Sequence, residues 1–193
     1  MTMKLNIYLF RHGQTYFNKS KRFTGWKDSK LTLNGINQAE TIAKKLKNKK
    51  IEAAFQTRLS RSKDTLKRVL KHHPECKKVI TDDRMIERSY GALQGKFHEA
   101  VIENYGVNQF NIWHRSYNTS PPKGESIKRV EKRVNAFIRY LLKFMKENGV
   151  NVAISAHGNS IRPFRKHFEK LSNKKMMALE NPYDDYFEYT VKF

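Results

Sequence analysis

Residues 5–13, LNIYLFRHG, and residues 150–158, VNVAISAHG, are the two stretches that decide the fold. Each begins with a short apolar run typical of a buried strand, and each ends in a histidine followed by a glycine. Because ligands of parallel sheets bind beyond the carboxyl ends of the strands, we expect both imidazoles to face one crevice. The glycines beside them would let a ligand approach the backbone closely.

Helical and strand patterns alternate along the rest of the chain. Apolar residues at helical spacing predict a helix that begins near Asn34, its expected cap, and further helices over 59–70, 98–105, 125–148 and 159–170. Aromatic residues one turn apart also favour a helix within 108–117, and further strands are predicted at 51–55, 78–81 and 186–191. This alternation predicts an α/β fold of three α/β/α layers with a mostly parallel sheet. The length of 193 residues fits a single domain, 1–193.

The net charge of +21, from 39 Lys+Arg and 18 Asp+Glu, is the strongest compositional signal. A basic surface can bind nucleic acid, coat an anionic membrane, steer small anionic substrates or merely face solvent. The chain contains no RNP, helix-turn-helix or zinc-knuckle pattern. Its densest basic cluster, residues 44–50, closes a predicted helix, where lysine complements the helix dipole. We therefore expect no nucleic-acid partner.

Two further counts bear on location. No apolar run approaches the roughly 18 residues that a membrane-spanning helix needs, so no membrane partner is expected. Cys76 is the single cysteine, which excludes an internal disulfide and suits the reducing cytoplasm. Together these observations predict a cytoplasmic protein.

Two histidines and an arginine at the expected crevice point to anion chemistry. Arg11 precedes His12 directly, and its forked guanidinium suits phosphate oxygens. A metal site is the rival interpretation, but the chain has no HxH or HExxH pattern around His12 or His157. We therefore expect no metal and a small anionic ligand.

Four segments resemble those of a known family. They are RHGQT at 11–15 with Asn18, RFTGW at 22–26, ERSYGALQG at 87–95 and AHGNSIR at 156–162. Together they are similar to the cofactor-dependent phosphoglycerate mutases of the histidine phosphatase superfamily. The likeness runs from the first strand to about residue 182, and it implies a phosphoglycerate mutase-like fold.

The resemblance implies a mechanism. His12 would become a phosphohistidine, Arg11, Arg61 and His157 would hold the transferring phosphoryl group, and Glu87 would act as general acid and base. The reaction would interconvert 3-phosphoglycerate and 2-phosphoglycerate in glycolysis and gluconeogenesis, with 2,3-bisphosphoglycerate as phosphorylating cofactor and no metal. The implied substrate-binding residues are Asn18, Thr24, Gly25, Arg88, Tyr90, Arg115, Gly158 and Asn159.

Several departures from the family pattern keep alternatives open. His98 stands where the family has a lysine, and His114-Arg115 where it has two arginines; Lys96 or Lys123 could supply a cation instead. The connection 116–124 is short, and the sequence ends at Phe193 without the family's tail, which favours access of water. The first alternative is therefore a broad-specificity phosphomonoesterase on the same fold, and a remote one is a non-catalytic polyanion-binding protein. Family members are often homo-oligomers, which the shortened connection puts in question here.

Overall fold

The computed structural model describes residues 2–193. Five strands and seven α-helices follow one another within these residues: β1 (Lys4–Arg11), α1 (Tyr16–Lys19), α2 (Leu33–Leu46), β2 (Ala53–Gln56), α3 (Ser60–Leu70), β3 (Lys78–Thr81), α4 (His98–Arg115), α5 (Ile127–Asn148), β4 (Val152–Ala156), α6 (Gly158–Glu169), α7 (Asn173–Ala178) and β5 (Tyr186–Lys192). Two short 3-10 turns, Asp83–Met85 and Gly91–Leu93, lie between β3 and α4.

The sheet has the strand order β3-β2-β4-β1-β5. All neighbours pair in parallel except β5, which runs antiparallel to β1 at one edge. The pairing of β1 with β4 places Arg11 opposite Ala156, so the two central strands end at the same level. The predicted mostly parallel sheet is confirmed, and its register puts His12 and His157 side by side.

Alternation along β1 builds the two faces of the core. Leu5, Ile7 and Leu9 are buried on the face that carries α5 and α6. Tyr8 and Phe10 are buried on the opposite face, against α2 and α3. Successive side chains of a strand point to opposite faces, so the sheet is covered on both sides and the predicted three layers are confirmed.

The structure moves several predicted element ends by one or two residues and adds two short helices. The cap of α2 is Thr32 rather than Asn34, because the Thr32 hydroxyl accepts a hydrogen bond from the Gly35 amide at 3.0 Å. Helix α4 consists of two helical segments that meet at a kink at Gly106, whose φ of 82° and ψ of 157° are not helical, so the separate helices predicted over 98–105 and 108–117 are confirmed except that the second ends at Arg115. The short helices α1 and α7 were not predicted, since four and six residues are too few to show a helical apolar face.

No helix within residues 2–193 combines the length and apolar character that a membrane crossing requires.

Candidate active site

His12 lies immediately beyond β1, and its imidazole is only 2% exposed. Its Nδ1 lies 2.7 Å from the carbonyl oxygen of Gly13. Because a carbonyl only accepts hydrogen bonds, Nδ1 carries the proton and Nε2 keeps its lone pair. The turn requires glycine at position 13, since a Cβ there would lie 2.1 Å from the carbonyl oxygen of Gly35.

His157 occupies the matching position beyond β4 and is fully buried. Its ring centroid lies 5.0 Å from that of His12. The hydroxyl of Thr57 holds Nε2 at 2.8 Å, whereas the buried Nδ1 has no hydrogen-bond partner among the described residues. The two strand ends therefore bring one nucleophilic imidazole and one unsatisfied ring nitrogen together.

Burial and positive charge keep both imidazoles neutral. The pKa of His12 is held well below its usual value, first by burial and then by the guanidinium groups of Arg61 and Arg11. Burial and the Arg61 guanidinium likewise hold the pKa of His157 well below its usual value. Near neutral pH His12 is therefore unprotonated at Nε2, as a nucleophile must be.

Arg61 follows β2 at the start of α3 and is 1% exposed. Its Nη1 donates to the carbonyl of Lys27 at 3.0 Å and its Nη2 to that of Gly25 at 2.8 Å. Burial lowers the pKa of Arg61 to about 10, so the side chain remains a cation near neutral pH. Its Nε is buried and has no partner among the described residues.

Three unsatisfied nitrogens therefore surround His12: Nε of Arg11, Nε of Arg61 and Nδ1 of His157. Buried polar groups of native proteins are almost always hydrogen-bonded, so these three atoms beside one cavity are suited to binding a ligand. Two of them belong to cations, and a ligand with several anionic oxygens satisfies them best. The arrangement fits a phosphoryl group beside His12.

Glu87 faces the same point from the loop after the first 3-10 turn and is 8% exposed. Its Oε1 accepts from the backbone amides of Arg88 at 2.8 Å and Asn159 at 3.1 Å. The backbone carbonyl of Glu87 accepts from the indole of Trp26 at 2.7 Å. One carboxylate oxygen is thus fixed, and Oε2 is left free of donors from residues 2–193 to exchange a proton with a ligand.

A cavity of about 720 Å³ opens over these groups. It is lined by eleven of the residues that the sequence indicates: Arg11, His12, Asn18, Thr24, Gly25, Arg61, Glu87, Tyr90, Arg115, Gly158 and Asn159. His157 is fully buried and is not among the lining residues, but its ring lies beside that of His12. The sequence-based prediction of one crevice therefore agrees with where the chain places these side chains.

Arg88 differs from the prediction. Its side chain is fully buried outside the cavity lining. The guanidinium donates to three backbone carbonyls, of Glu125 at 2.7 Å, Thr119 at 3.2 Å and His114 at 3.3 Å. These bonds use Nε and both Nη atoms, so the side chain braces the segment between α4 and α5 instead of touching a ligand.

His98 and His114 also line the cavity, and the charges that act on them are those of Lys21 and Arg115, whereas Arg61 and Arg11 act on His12. We call the group around His98, His114 and Arg115 the remote end. The two histidine rings of this end are 5.2 Å apart and pack against Phe23 and Phe110. Burial, then the neighbouring Arg115, lowers the pKa of His114 to about 3, and burial followed by Lys21 lowers the pKa of His98. Both histidines are therefore neutral at pH 7 and supply no cation.

Permanent cations at this end come from residues that the sequence analysis missed. Lys21, Arg22 and Arg162 line the cavity beside Arg115, whereas Lys96 and Lys123 do not. The signal was present, because Lys21 and Arg22 lie just before Thr24 and Gly25, two predicted substrate-binding residues, and Arg162 lies one turn after Asn159. Glu180, Asn181, Pro182 and Tyr183 close the cavity from the segment between α7 and β5.

Comparison with known proteins gives a consistent family. A model of the histidine phosphatase superfamily (branch 1) matches residues 7–190. A protein of Pseudoalteromonas atlantica is 31% identical over 90% of this chain and 88% of its own length. One of Cytophaga hutchinsonii is 37% identical over 86% of this chain and 78% of its own. Both are named 2,3-bisphosphoglycerate-dependent phosphoglycerate mutase.

Solved structures show the same fold in proteins with different activities. A mycobacterial glucosyl-3-phosphoglycerate phosphatase superposes with a TM-score of 0.81 at 23% identity, covering 98% of this chain and 91% of its own. A phosphoglycerate mutase from Bacillus anthracis superposes with a TM-score of 0.80 at 22% identity, covering 98% of this chain and 89% of its own.

Proposed function

This chain belongs to the histidine phosphatase superfamily, and from that membership we propose that it is a phosphoglycerate mutase. It would interconvert 3-phosphoglycerate and 2-phosphoglycerate, a reaction of glycolysis and gluconeogenesis, through a phosphohistidine at His12. One observation carries the proposal: the cavity holds two groups of cations, Arg11 and Arg61 beside His12, and Lys21 and Arg115 beside His98 and His114. A substrate with two separate anionic groups matches this arrangement, whereas a simple phosphate ester needs only the first group.

The His12 end performs the phosphoryl transfer. The Nε2 lone pair of His12 attacks phosphorus, a nitrogen–phosphorus bond forms, and the bond from phosphorus to the ester oxygen breaks. Glu87 gives its proton to the departing oxygen and takes it back from the hydroxyl that later attacks phosphohistidine. Negative charge spreads over the phosphoryl oxygens in the transition state, where Arg11 and Arg61 stabilise it.

The remote end holds the rest of the substrate. Besides Arg11 and Arg61, the cavity has four permanent cations, against the two carboxylates of Glu87 and Glu180: Lys21, Arg22, Arg115 and Arg162. Arg162 interacts with both Arg115 and Glu87, so it links the two groups. This excess of cations suits a carboxylate together with a second phosphate. When bound, 2,3-bisphosphoglycerate supplies the phosphoryl group that primes His12. The unsatisfied nitrogens of Arg11, Arg61 and His157 fit one of its phosphates, and the remote cations fit its other anionic groups.

Arg115→Ala tests whether the cations of the remote end bind the second anionic group of the substrate. We expect KM for 3-phosphoglycerate to rise by roughly 10- to 100-fold, the usual cost of a lost charge-assisted hydrogen bond. Hydrolysis of p-nitrophenyl phosphate, whose organic part is uncharged at this end, should change less than about threefold. Because the Arg115 side chain is exposed, the variant should keep its fold, and a melting curve checks this.

Lys146→Ala is the matched control, because it removes an exposed cation from α5, away from the cavity lining. The Lys146→Ala protein should act on 3-phosphoglycerate and on p-nitrophenyl phosphate as the wild type does. An equal rise of KM for both substrates in Arg115→Ala would contradict the assignment of the remote end.

A phosphatase on the same site is the second candidate, and one observation favours it. None of residues 116–124, the short connection between α4 and α5, lines the cavity. The connection packs instead on the second 3-10 turn, where a Cβ at Gly91 would lie 2.2 Å from the carbonyl oxygen of Pro122. Because this segment does not cover the cavity, water has a route to phosphohistidine. The rates of isomerisation and of phosphate release, measured side by side, distinguish a mutase from a phosphatase.

A further inference from the structure

Tyr183 stacks on the arginine that precedes the proposed nucleophile. Its ring centroid lies 3.9 Å from Cζ of Arg11, and its ring lies 6.5 Å from that of His12. Tyr183 belongs to the segment between α7 and β5, more than 170 positions beyond Arg11 in the chain, and its side chain is half-buried at the cavity wall. The tyrosine therefore contacts the chemical end of the cavity and not its remote end.

Two further contacts hold the same guanidinium. Nη1 of Arg11 donates to the carbonyl oxygen of Asn181 at 3.2 Å. The backbone of Gly158 passes so close that a Cβ there would lie 3.4 Å from both Cζ and Nη2 of Arg11. Asn181 is itself anchored, since its Nδ2 donates to the carbonyl of Gly158 at 3.0 Å. The guanidinium of Arg11 is therefore held in position by three groups: the Tyr183 ring, the Asn181 carbonyl and the Gly158 backbone.

This arrangement leaves the Nε–Nη2 edge of the Arg11 guanidinium free to bind a ligand. Only Nη1 is occupied by a protein acceptor, and the buried Nε has no partner within residues 2–193. Nε and Nη2 form the parallel fork that binds two oxygens of one phosphoryl group. A carboxylate in the place of Tyr183 would neutralise the cation and occupy its donors, whereas an aromatic face orients the cation and consumes no donor.

We propose that Tyr183 is a positioning residue that acts through Arg11, holding its Nε–Nη2 edge toward the phosphoryl group in transfer. The inference rests on the proposed phosphorylation of His12, and it adds a residue outside the four segments that carry the family resemblance. The stack aligns a donor pair that matters most in the transition state. Its loss therefore lowers kcat and leaves KM for the substrate nearly unchanged.

The test compares Tyr183→Leu with Tyr183→Phe. We expect Tyr183→Leu to slow phosphorylation of His12 by roughly 10- to 100-fold, the range for a displaced catalytic group, with KM within about twofold of wild type. Tyr183→Phe keeps the ring and should restore most of the rate. Phosphorylation is followed in a single turnover with p-nitrophenyl phosphate as donor, so the measurement does not require isomerase activity.

Tyr140→Leu provides the matched control. Tyr140 also stacks on an arginine, with its ring 4.6 Å from Cζ of Arg84, but both residues lie outside the cavity lining. The Tyr140→Leu protein should phosphorylate His12 at the wild-type rate. A fall equal to that of Tyr183→Leu would mean that any lost stack disturbs the protein, and it would overturn the positioning role.

A double-mutant cycle with Arg11→Lys tests the route of the effect. Lysine has no fork to orient, so Tyr183→Leu should cost less than about twofold in the Arg11→Lys background. A full, additive loss in that background would overturn the inference, as would a wild-type rate in Tyr183→Leu alone. If wild-type protein takes up no phosphate at His12, the proposed function fails instead, and the two failures are thereby distinguished.

Discussion

His12→Ala is expected to lower kcat/KM for 3-phosphoglycerate by more than about 10⁴-fold, the scale of losing a covalent nucleophile. The imidazole supplies a neutral lone pair close to the unsatisfied nitrogens of Arg11, Arg61 and His157. No phosphate should then be incorporated into the protein. Mass spectrometry of protein mixed with 2,3-bisphosphoglycerate detects the added phosphoryl group, and a coupled assay gives the rate.

His72→Ala is the control, because His72 is exposed at the end of α3. It should retain both incorporation and rate. A His12→Ala protein that still isomerises phosphoglycerate at more than about a hundredth of the wild-type rate would contradict the assignment. Binding of polyanions that survives His12→Ala without any catalysis would instead favour the remote alternative of a non-catalytic binder.

The acidity of His12 gives an independent readout of the same assignment. Its lowered pKa means that the imidazole binds a proton only at pH values well below its usual 6.5. At pH 6 an ordinary histidine is about three-quarters protonated and unable to attack. We expect the rate of His12 phosphorylation at pH 6 to stay within about twofold of its value at pH 7. A fall of about threefold, which a histidine with an ordinary pKa of 6.5 would give, would contradict the neutral, buried nucleophile.

Glu87→Gln is expected to reduce isomerisation by roughly 10²- to 10⁴-fold, the contribution of a well-placed general acid and base. Glutamine keeps an oxygen that accepts the amides of Arg88 and Asn159, so the loop should hold its position. It has no carboxyl proton to exchange with the substrate oxygen. The measurement is kcat for phosphoglycerate in the coupled assay, beside His12 phosphorylation from p-nitrophenyl phosphate.

Comparing two leaving groups shows whether Glu87→Gln removes only the proton donor or also disturbs the fold. Nitrophenolate departs without protonation, so Glu87→Gln should slow its transfer less than about tenfold, far less than that of the sugar-acid alkoxide. The exposed Glu103 on α4 gives a control, since Glu103→Gln should affect neither substrate. An equal loss with both leaving groups would show that Glu87 does not act as the proton donor.

The strand ends were predictable because they depend on local pattern. An apolar run of six or seven residues identifies β1 and β4, and parallel strands present their following residues at the same edge. His12 and His157 could therefore be paired from the sequence alone. The roles of Arg61 and Glu87 came from the family resemblance, and the structure places both in the cavity wall.

Other features depend on contacts between distant parts of the chain. Arg88 matches a substrate-binding position in the motif, but its side chain is captured by carbonyls 26 to 37 residues further along. Tyr183 reaches Arg11 only because β5 returns beside β1. His98 and His114 stand where the family has cations, and burial lowers the pKa of both, so that they are neutral here. The spacing of residues along the sequence does not predict such burial.

The most direct test measures 2-phosphoglycerate formation and phosphate release together, on one preparation with 3-phosphoglycerate and a trace of 2,3-bisphosphoglycerate. The proposed mutase retains its phosphoryl group between two transfers, so isomerisation should exceed phosphate release by more than about tenfold. Chelators should change neither rate. Phosphate release that matches or exceeds isomerisation, in a protein that phosphorylates His12, would contradict the mutase assignment and establish a phosphatase at the same site.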